Sequence, residues 1–98
     1  MKVRYSRRSI DDLVAIGEFI AERSPGAAEQ VVARLRSSIE MLELFPRFGR
    51  ITDDPDIRMF PVVRYPYLVF YEVLNNEVVI HHIRHGAREP FDVGELKP

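Results

Sequence analysis

Apolar residues recur at helical spacing twice in the first half of the chain and at strand spacing in its second half. In SRRSIDDLVAIGEFIAER, Ile10, Leu13, Val14, Gly17 and Ile20 form one helical stripe that Ile16 and Phe19 widen. Ser6 or Ser9 can cap its start, and Asp11 and Asp12 suit the positive end of the helix dipole. Gly17 costs about 1 kcal/mol against alanine in mid-helix, a cost that close approach of a neighbouring helix would offset. Ser24-Pro25 is a second start signal, a capping serine before proline at the first helical position. The helix it opens runs through GAAEQVVARLRSSIEMLELF, with Val31, Leu35, Ile39, Leu42 and Phe45 on one face, and Pro46 ends it. Two amphipathic helices joined by so short a turn pack as an antiparallel hairpin, with Ile10, Leu13, Ile39 and Leu42 expected in the core.

The stretch PRFGRITDDPD reads as a loop from its prolines, glycine and acids. Three β segments follow: Ile57 to Arg64, Tyr67 to Leu74 and Glu77 to His85. Asn75-Asn76 joins the last two as a tight hairpin, and Pro61 marks the first as an edge strand. With a short β-compatible start at Lys2 to Tyr5, the order is β-α-α-β-β-β, an α+β fold with the helix pair packed on one face of a sheet. In the hairpin, Leu68, Phe70 and Leu74 point one way and Tyr67, Val69, Tyr71 and Val73 the other, and both sets are largely apolar. Two helices cover only one face. The other needs cover from a partner, or from the loop and the C-terminal tail.

Ninety-eight residues suffice for one domain, and 46 % hydrophobic with 30 % charged residues is ordinary for a globular protein. The absence of cysteine excludes disulfides and thiolate catalysis. No apolar run reaches the roughly 18 residues of a membrane span and the start has no signal-peptide core, so a cytoplasmic location without membrane contact is expected. A net charge of −1 argues against direct binding of DNA through bulk electrostatics. Lys2, Arg4, Arg7 and Arg8 make a basic start, whereas Ile51 to Asp56 is acidic. Lys2 and Lys97 are the only lysines; arginine suits bidentate contacts to carboxylate or phosphate.

All three histidines stand in HHIRHGAREP, His81 to Pro90. On a regular strand His81 and His85 share a face but stand ~13 Å apart at ~3.3 Å per residue, too far to chelate one ion. His82 points to the opposite face, with Arg84. No metal or cofactor is expected.

The stretches SRRSIDDLVAIGEFIAERSPGAAEQVVARL, IEMLELFPRFGR, IRMFPVVRYPYLVFYEV and VVIHHIRHGARE together resemble the RelE/ParE superfamily of type II toxin-antitoxin toxins, most of all its ParE-like branch, the plasmid stabilisation proteins. The resemblance runs from about Lys2 to Glu89 and implies a single toxin domain over 1–90 with a C-terminal tail at 91–98. It implies a helical hairpin on a small, mainly antiparallel twisted sheet. It also implies a cognate antitoxin (ParD-like or other) that covers the exposed apolar face, and inhibition of DNA gyrase by protein-protein contact. The target-binding residues expected from it are Arg58, Arg64, Arg84, His85 and Arg88, with Phe91 in the tail. Arginine and aromatic side chains are the usual interface anchors. For Arg84 and Arg88 an ion pair with Glu72, Glu77 or Glu89 is the alternative. The RelE branch implies another activity, metal-independent cleavage of messenger RNA on the ribosome. His82 or His85 would then move protons, and Arg64, Arg84 and Arg88 would stabilise charge on phosphorus. Here the strands lack that branch's lysines and the tail after Arg88 has no tyrosine. A non-toxic member acting only as a binding partner is the third possibility. An isolated toxin is expected to be a monomer.

Overall fold

The computed structural model describes residues 1–86. Its elements are β1 (Lys2–Tyr5), α1 (Arg7–Ala21), α2 (Pro25–Glu40), a 3-10 turn (Met41–Glu43), β2 (Arg50–Ile51), β3 (Arg58–Pro61), β4 (Tyr67–Leu74) and β5 (Glu77–His85). The expected α+β order is present, with β2 added. Two residues are too few to leave a periodic signal in the sequence. The tail at 91–98 lies outside the described residues.

Both serine caps form. The Ser6 hydroxyl accepts from the Ser9 amide at 3.1 Å, and the Ser24 hydroxyl from the Ala27 amide at 3.3 Å. With Ser6 as the cap, Asp11 and Asp12 fall beyond the first turn of α1, so the expected dipole role does not apply to them. A Cβ on Gly17 would stand 3.4 Å from Val32 Cγ2, the close helix approach that its position suggests. The second helix stops earlier than its apolar pattern, at Glu40, and tightens into the 3-10 turn, with the chain leaving it before Pro46. Phe45 is therefore 59 % exposed rather than packed, and Leu44 is exposed as well.

The five strands run in the order β1-β5-β4-β3-β2, with β1 parallel to β5 and every other neighbour antiparallel. Asn75 takes the positive φ (41°) that the hairpin turn requires. Pro61 lies beyond the β2 pairing, which ends at Met59, so β3 is an edge there as its proline demands. Leu35, Ile39 and Leu42 pack on Val69, Tyr71, Val78, Ile80 and Ile83 to form the core. Leu13 joins at the margin, whereas Ile10 is 45 % exposed and stands outside it.

A β-bulge changes the expected faces of β5. Tyr71 pairs with Ile80 but Phe70 pairs with His82, leaving His81 as the extra residue. One inserted residue reverses the alternation of everything after it. His85 therefore falls on the core side beside Tyr67, while His81 bonds Glu72 on the opposite face, so these two histidines do not share a face. His82 lies with Phe70 on the face away from the helices, together with Arg84 as expected. That face is not an open apolar sheet. Phe70, Val79, His82 and Arg84 are buried, Leu68 is half-buried, and the Arg4–Glu77 pair (3.0 Å) and the His81–Glu72 pair (2.9 Å) cross it. Leu74 is exposed at the end of that face, and other exposed apolar side chains lie elsewhere, among them Ile10 and Val14 outside α1, and Leu44, Phe45, Phe48 and Ile51 after α2.

The segment between α2 and β3 is held from beneath. The fully buried Tyr71 donates its phenolic hydrogen to the Pro46 carbonyl at 2.8 Å and accepts the Gly49 amide at 2.7 Å. Arg58 donates to the Gly49 carbonyl at 2.7 Å and to the Arg47 carbonyl at 3.4 Å. Burial raises the Tyr71 pKa, which keeps the phenol protonated and able to donate.

Tyr71→Phe is expected to lower unfolding stability by about 1–3 kcal/mol in denaturant titration, since two loop groups lose their buried partner. Gly49→Ala should cost more, because its Cβ would meet the Tyr71 ring at 2.7 Å and the Met59 carbonyl at 3.0 Å. A raised tyrosine pKa contributes stability below the ordinary tyrosine range near pH ~10 that is lost as pH rises through the folded value. Denaturant midpoints measured across that window should fall for the wild type and fall less for Tyr71→Phe.

Candidate functional site

β1 pairs with β5 only as far as Tyr5 against Ile80, which leaves the rest of β5 without a strand on that side. The chain closes this edge with the first turns of α1. The Ser6 amide donates to the Ile80 carbonyl at 3.0 Å, and its hydroxyl to the His81 carbonyl at 3.2 Å. One carboxylate oxygen of Asp12 then accepts the Ile83 amide at 2.9 Å and lies 2.7 Å from His82 Nδ1. Asp12 thus replaces a strand partner and orients a histidine at once. It was not among the residues expected from the sequence. The available signal was its spacing: three residues from buried Ser9 and four from Ile16, it occupies the stripe that faces the sheet.

His82 is buried, and its ring stacks on Phe70 with centroids 6.2 Å apart. His81 and its partner Glu72 are nearly buried as well, at 16 % and 14 % side-chain exposure. Glu77 is held by Arg4 and Glu72 by His81, while Glu89, the third acid expected for Arg84, lies outside the described residues. The Arg84 guanidinium reaches the His85 carbonyl at 3.4 Å.

Three of the expected contact residues lie at one end of the sheet, Arg84 on the face away from the helices and His85 on the core side. The β3–β4 turn is closed by the Val62 amide on the Tyr67 carbonyl at 2.9 Å, and it tucks against the end of β5 through the Gly86 amide on the Pro66 carbonyl at 2.6 Å. Arg64 in this turn, Arg84 and His85 therefore share one end of the sheet. Arg64 is exposed and has φ 77°, a left-handed backbone that is uncommon for a residue with a side chain. The His85 ring meets Tyr67 edge-on at 5.5 Å. A cavity of about 350 Å³ opens beside them, lined by Asp12, Phe19, Tyr67, His82, Arg84 and His85. Arg58 is not part of this end, being used inside the molecule under the β2 loop. Arg88 and Phe91 lie outside the described residues.

A larger apolar groove of about 960 Å³ runs between the outer sides of α1 and α2, with Ile10, Leu13, Val14, Ala28 and Val32 along it and Tyr5 and Arg36 at its lining. Among the described residues no helix is long and apolar enough to cross a membrane.

A helical hairpin on a mainly antiparallel sheet, with a basic end and an apolar helical groove, defines a small toxin-like α+β domain. The match to the model of the ParE toxin of the type II toxin-antitoxin system parDE extends over residues 3–90, and the chain belongs to that family. It is 36 % identical over 87 residues to Toxin RelE2 of Caulobacter vibrioides, covering 89 % of this chain and 97 % of that protein. A chain of the solved chromosomal ParDE TA system from P. aeruginosa has the same fold, with a TM-score of 0.79 at 23 % identity over 87 % of this chain and 95 % of that one. The protein is accordingly the toxin of a ParDE/RelE-type system, and an antitoxin is its partner.

Asp12→Ala removes the acceptor for the Ile83 amide and is expected to cost about 1–3 kcal/mol of stability. Asp12→Asn retains an acceptor oxygen and should cost less. Amide exchange at Ile83 is the specific readout. Unchanged protection in Asp12→Ala would show that the edge is closed by something else.

Proposed function

We propose that the protein arrests growth from the cytoplasm by protein-protein contact with DNA gyrase, through the end of the sheet where Arg64 is exposed, His85 half-exposed and Arg84 buried. The antitoxin, on this reading, silences it by laying an apolar segment along the α1–α2 groove. The observation that carries the choice against RNA cleavage is the engagement of His81 and His82 by Glu72 and Asp12, with His82 also stacked on Phe70. A general base must come within hydrogen-bond reach of the proton that it takes. A buried ring fixed between an aromatic face and a carboxylate that also caps the backbone is better suited to holding β5 in place.

Arg64 supports the contact reading. Left-handed backbone at a residue with a side chain costs on the order of 1–3 kcal/mol and is concentrated at functional positions. Glycine would adopt that conformation without strain, so nothing in the turn itself asks for arginine. The exposed Arg64 side chain suits a carboxylate or phosphate on the target. The groove supports the antitoxin assignment, because Ile10 and Val14 are large apolar side chains left 45 % and 54 % exposed along its length.

Inducing the isolated toxin while pulse-labelling DNA and protein synthesis in parallel tests the target. An early fall in DNA synthesis is expected. An early fall in protein synthesis instead would assign His85, Arg84 and the adjoining cavity to RNA cleavage. Arg64→Gly should abolish arrest while leaving stability within about 1 kcal/mol of wild type, since relieved strain offsets the entropy of the unfolded glycine chain. Val14→Asp should keep arrest but weaken antitoxin binding at least roughly tenfold by titration calorimetry, on the order of 1.4 kcal/mol.

A further inference from the structure

We infer that the cavity beside the end of β5 is the seat of this chain's own C-terminal segment, AREPFDVGELKP, with the Phe91 ring as its plug and a neighbouring carboxylate on Arg84. The cavity opens where β5 has outrun β1. One wall is α1, through Asp12, Ile16 and Phe19, and the other is formed by Tyr67, Arg84 and His85. Phe19 is a large apolar side chain left 64 % exposed. It stands outside the α1–α2 groove, which Gly17, Glu18 and Ala21 line, so the antitoxin assignment gives it no role.

Size, reach and charge select the occupant. At about 350 Å³ the cavity lies at the small end of the ~300–1,000 Å³ range of ligand pockets. Such a space takes one aromatic side chain, whereas a partner helix is ~10–12 Å wide with its side chains. Gly86 is tied to the Pro66 carbonyl at 2.6 Å, and its neighbour His85 already lines the cavity. Phe91 follows five residues later and stands at most ~18 Å from Gly86, at ~3.6 Å per residue. So short a tether holds the ring at an effective concentration on the order of millimolar, enough for a contact too weak for a free partner. Arg84 is 8 % exposed, and a charge so buried is held by an anion. Glu72 and Glu77 are engaged by His81 and Arg4, and Asp12 by the Ile83 amide and His82. That points to Glu89 and Asp92, which stand on either side of Phe91. Phe91 is thereby turned into the toxin rather than toward its target, contrary to the role expected for it. It also falls just past the family match at 3–90, so the plug belongs to this chain rather than to the matched family pattern.

The contact lies within the toxin chain, so the purified full-length protein tests it without gyrase, ribosome or antitoxin. The chain contains no tryptophan, and Phe91→Trp therefore supplies a single reporter. Its emission is expected to be blue-shifted from its position in denaturant and quenched several-fold less by acrylamide. Adding Phe19→Asp should restore both toward the denatured values. Adding Phe45→Asp, at a comparably exposed phenylalanine away from the cavity, should change neither. A second measurement needs no tryptophan: Ala15→Cys with Asp92→Cys, in a chain with no other cysteine, should form an intramolecular disulfide when folded and not in denaturant. An indole as red and as quenchable as in denaturant, together with no disulfide, would overturn the proposal. So would protection that appears only as protein concentration rises, since the occupant would then be the tail of a second copy.

Discussion

The fold turns on an unequal pair of strands. β1 covers β5 for four residues, Lys2 to Tyr5 against Glu77 to Ile80, and the nine-residue β5 then continues alone on that side. Unpaired backbone groups inside a packed structure are costly, so the position of α1 follows from how that edge is closed. Ser6 turns the chain out of the strand, caps the helix and bonds β5, all within one residue. Two turns later Asp12 reaches the same edge. α1 is thereby bonded to the sheet as well as packed on it, and the groove on its outer side inherits a fixed wall.

A second constraint acts at the far side of the sheet. Tyr71 sits in the middle of β4 with its ring in the core and its hydroxyl in the loop that follows α2. Phe60 and Phe48 continue the aromatic contact outward, with edge-to-face centroids at 6.0 and 5.7 Å. Arg58 completes the support. Its side chain is as much a part of the fold as a core leucine, although a surface arginine in a basic strand invites a functional reading. What the loop shows to solvent is consequently settled: phenylalanines and arginines outward, carbonyls inward.

The parts of this architecture that could be read from the chain are those written in local patterns. Ser24-Pro25 marks the start of α2, Asn75-Asn76 the β4–β5 turn, and alternating residues the exact spans of β4 and β5. The four family stretches indicated a ParE-type toxin, which the match over 3–90 established. Tertiary pairing decided the rest. The bulge at His81 has no signature in HHIRH, yet it separates His81 from His85 and puts His81 within reach of Glu72. β2 exists because β3 offers it an edge, with no propensity of its own. Ile10 fits a helical stripe, but that stripe is wide enough to face both core and groove, and periodicity alone does not divide them. Of the expected contact residues, Arg64 reaches the end of β5 that carries Arg84 and His85 only because the β3–β4 turn folds back on it. Arg58, paired with Ile51 of β2, turns its side chain to the carbonyls of Arg47 and Gly49.

The distribution of charge explains why one small domain can present separate surfaces without exposing a large apolar sheet. Three of its acids are used within the molecule: Asp12 on β5, Glu72 on His81, Glu77 on Arg4. The Arg4 guanidinium holds the Glu77 carboxyl below its ordinary pKa, so that pair keeps its charge through mildly acidic conditions and loses its contribution only as pH falls through the lowered value. Arginines at the two ends of the sheet remain directed outward, at Arg64 on one end and at Arg47 and Arg50 on the other. The groove of the helical hairpin is mainly apolar, with Glu18, Glu29 and Arg36 among the residues that line it. A partner that reads apolar surface and one that reads arginine therefore meet different parts of the molecule, and a change at either part leaves the bonds that close β5 untouched.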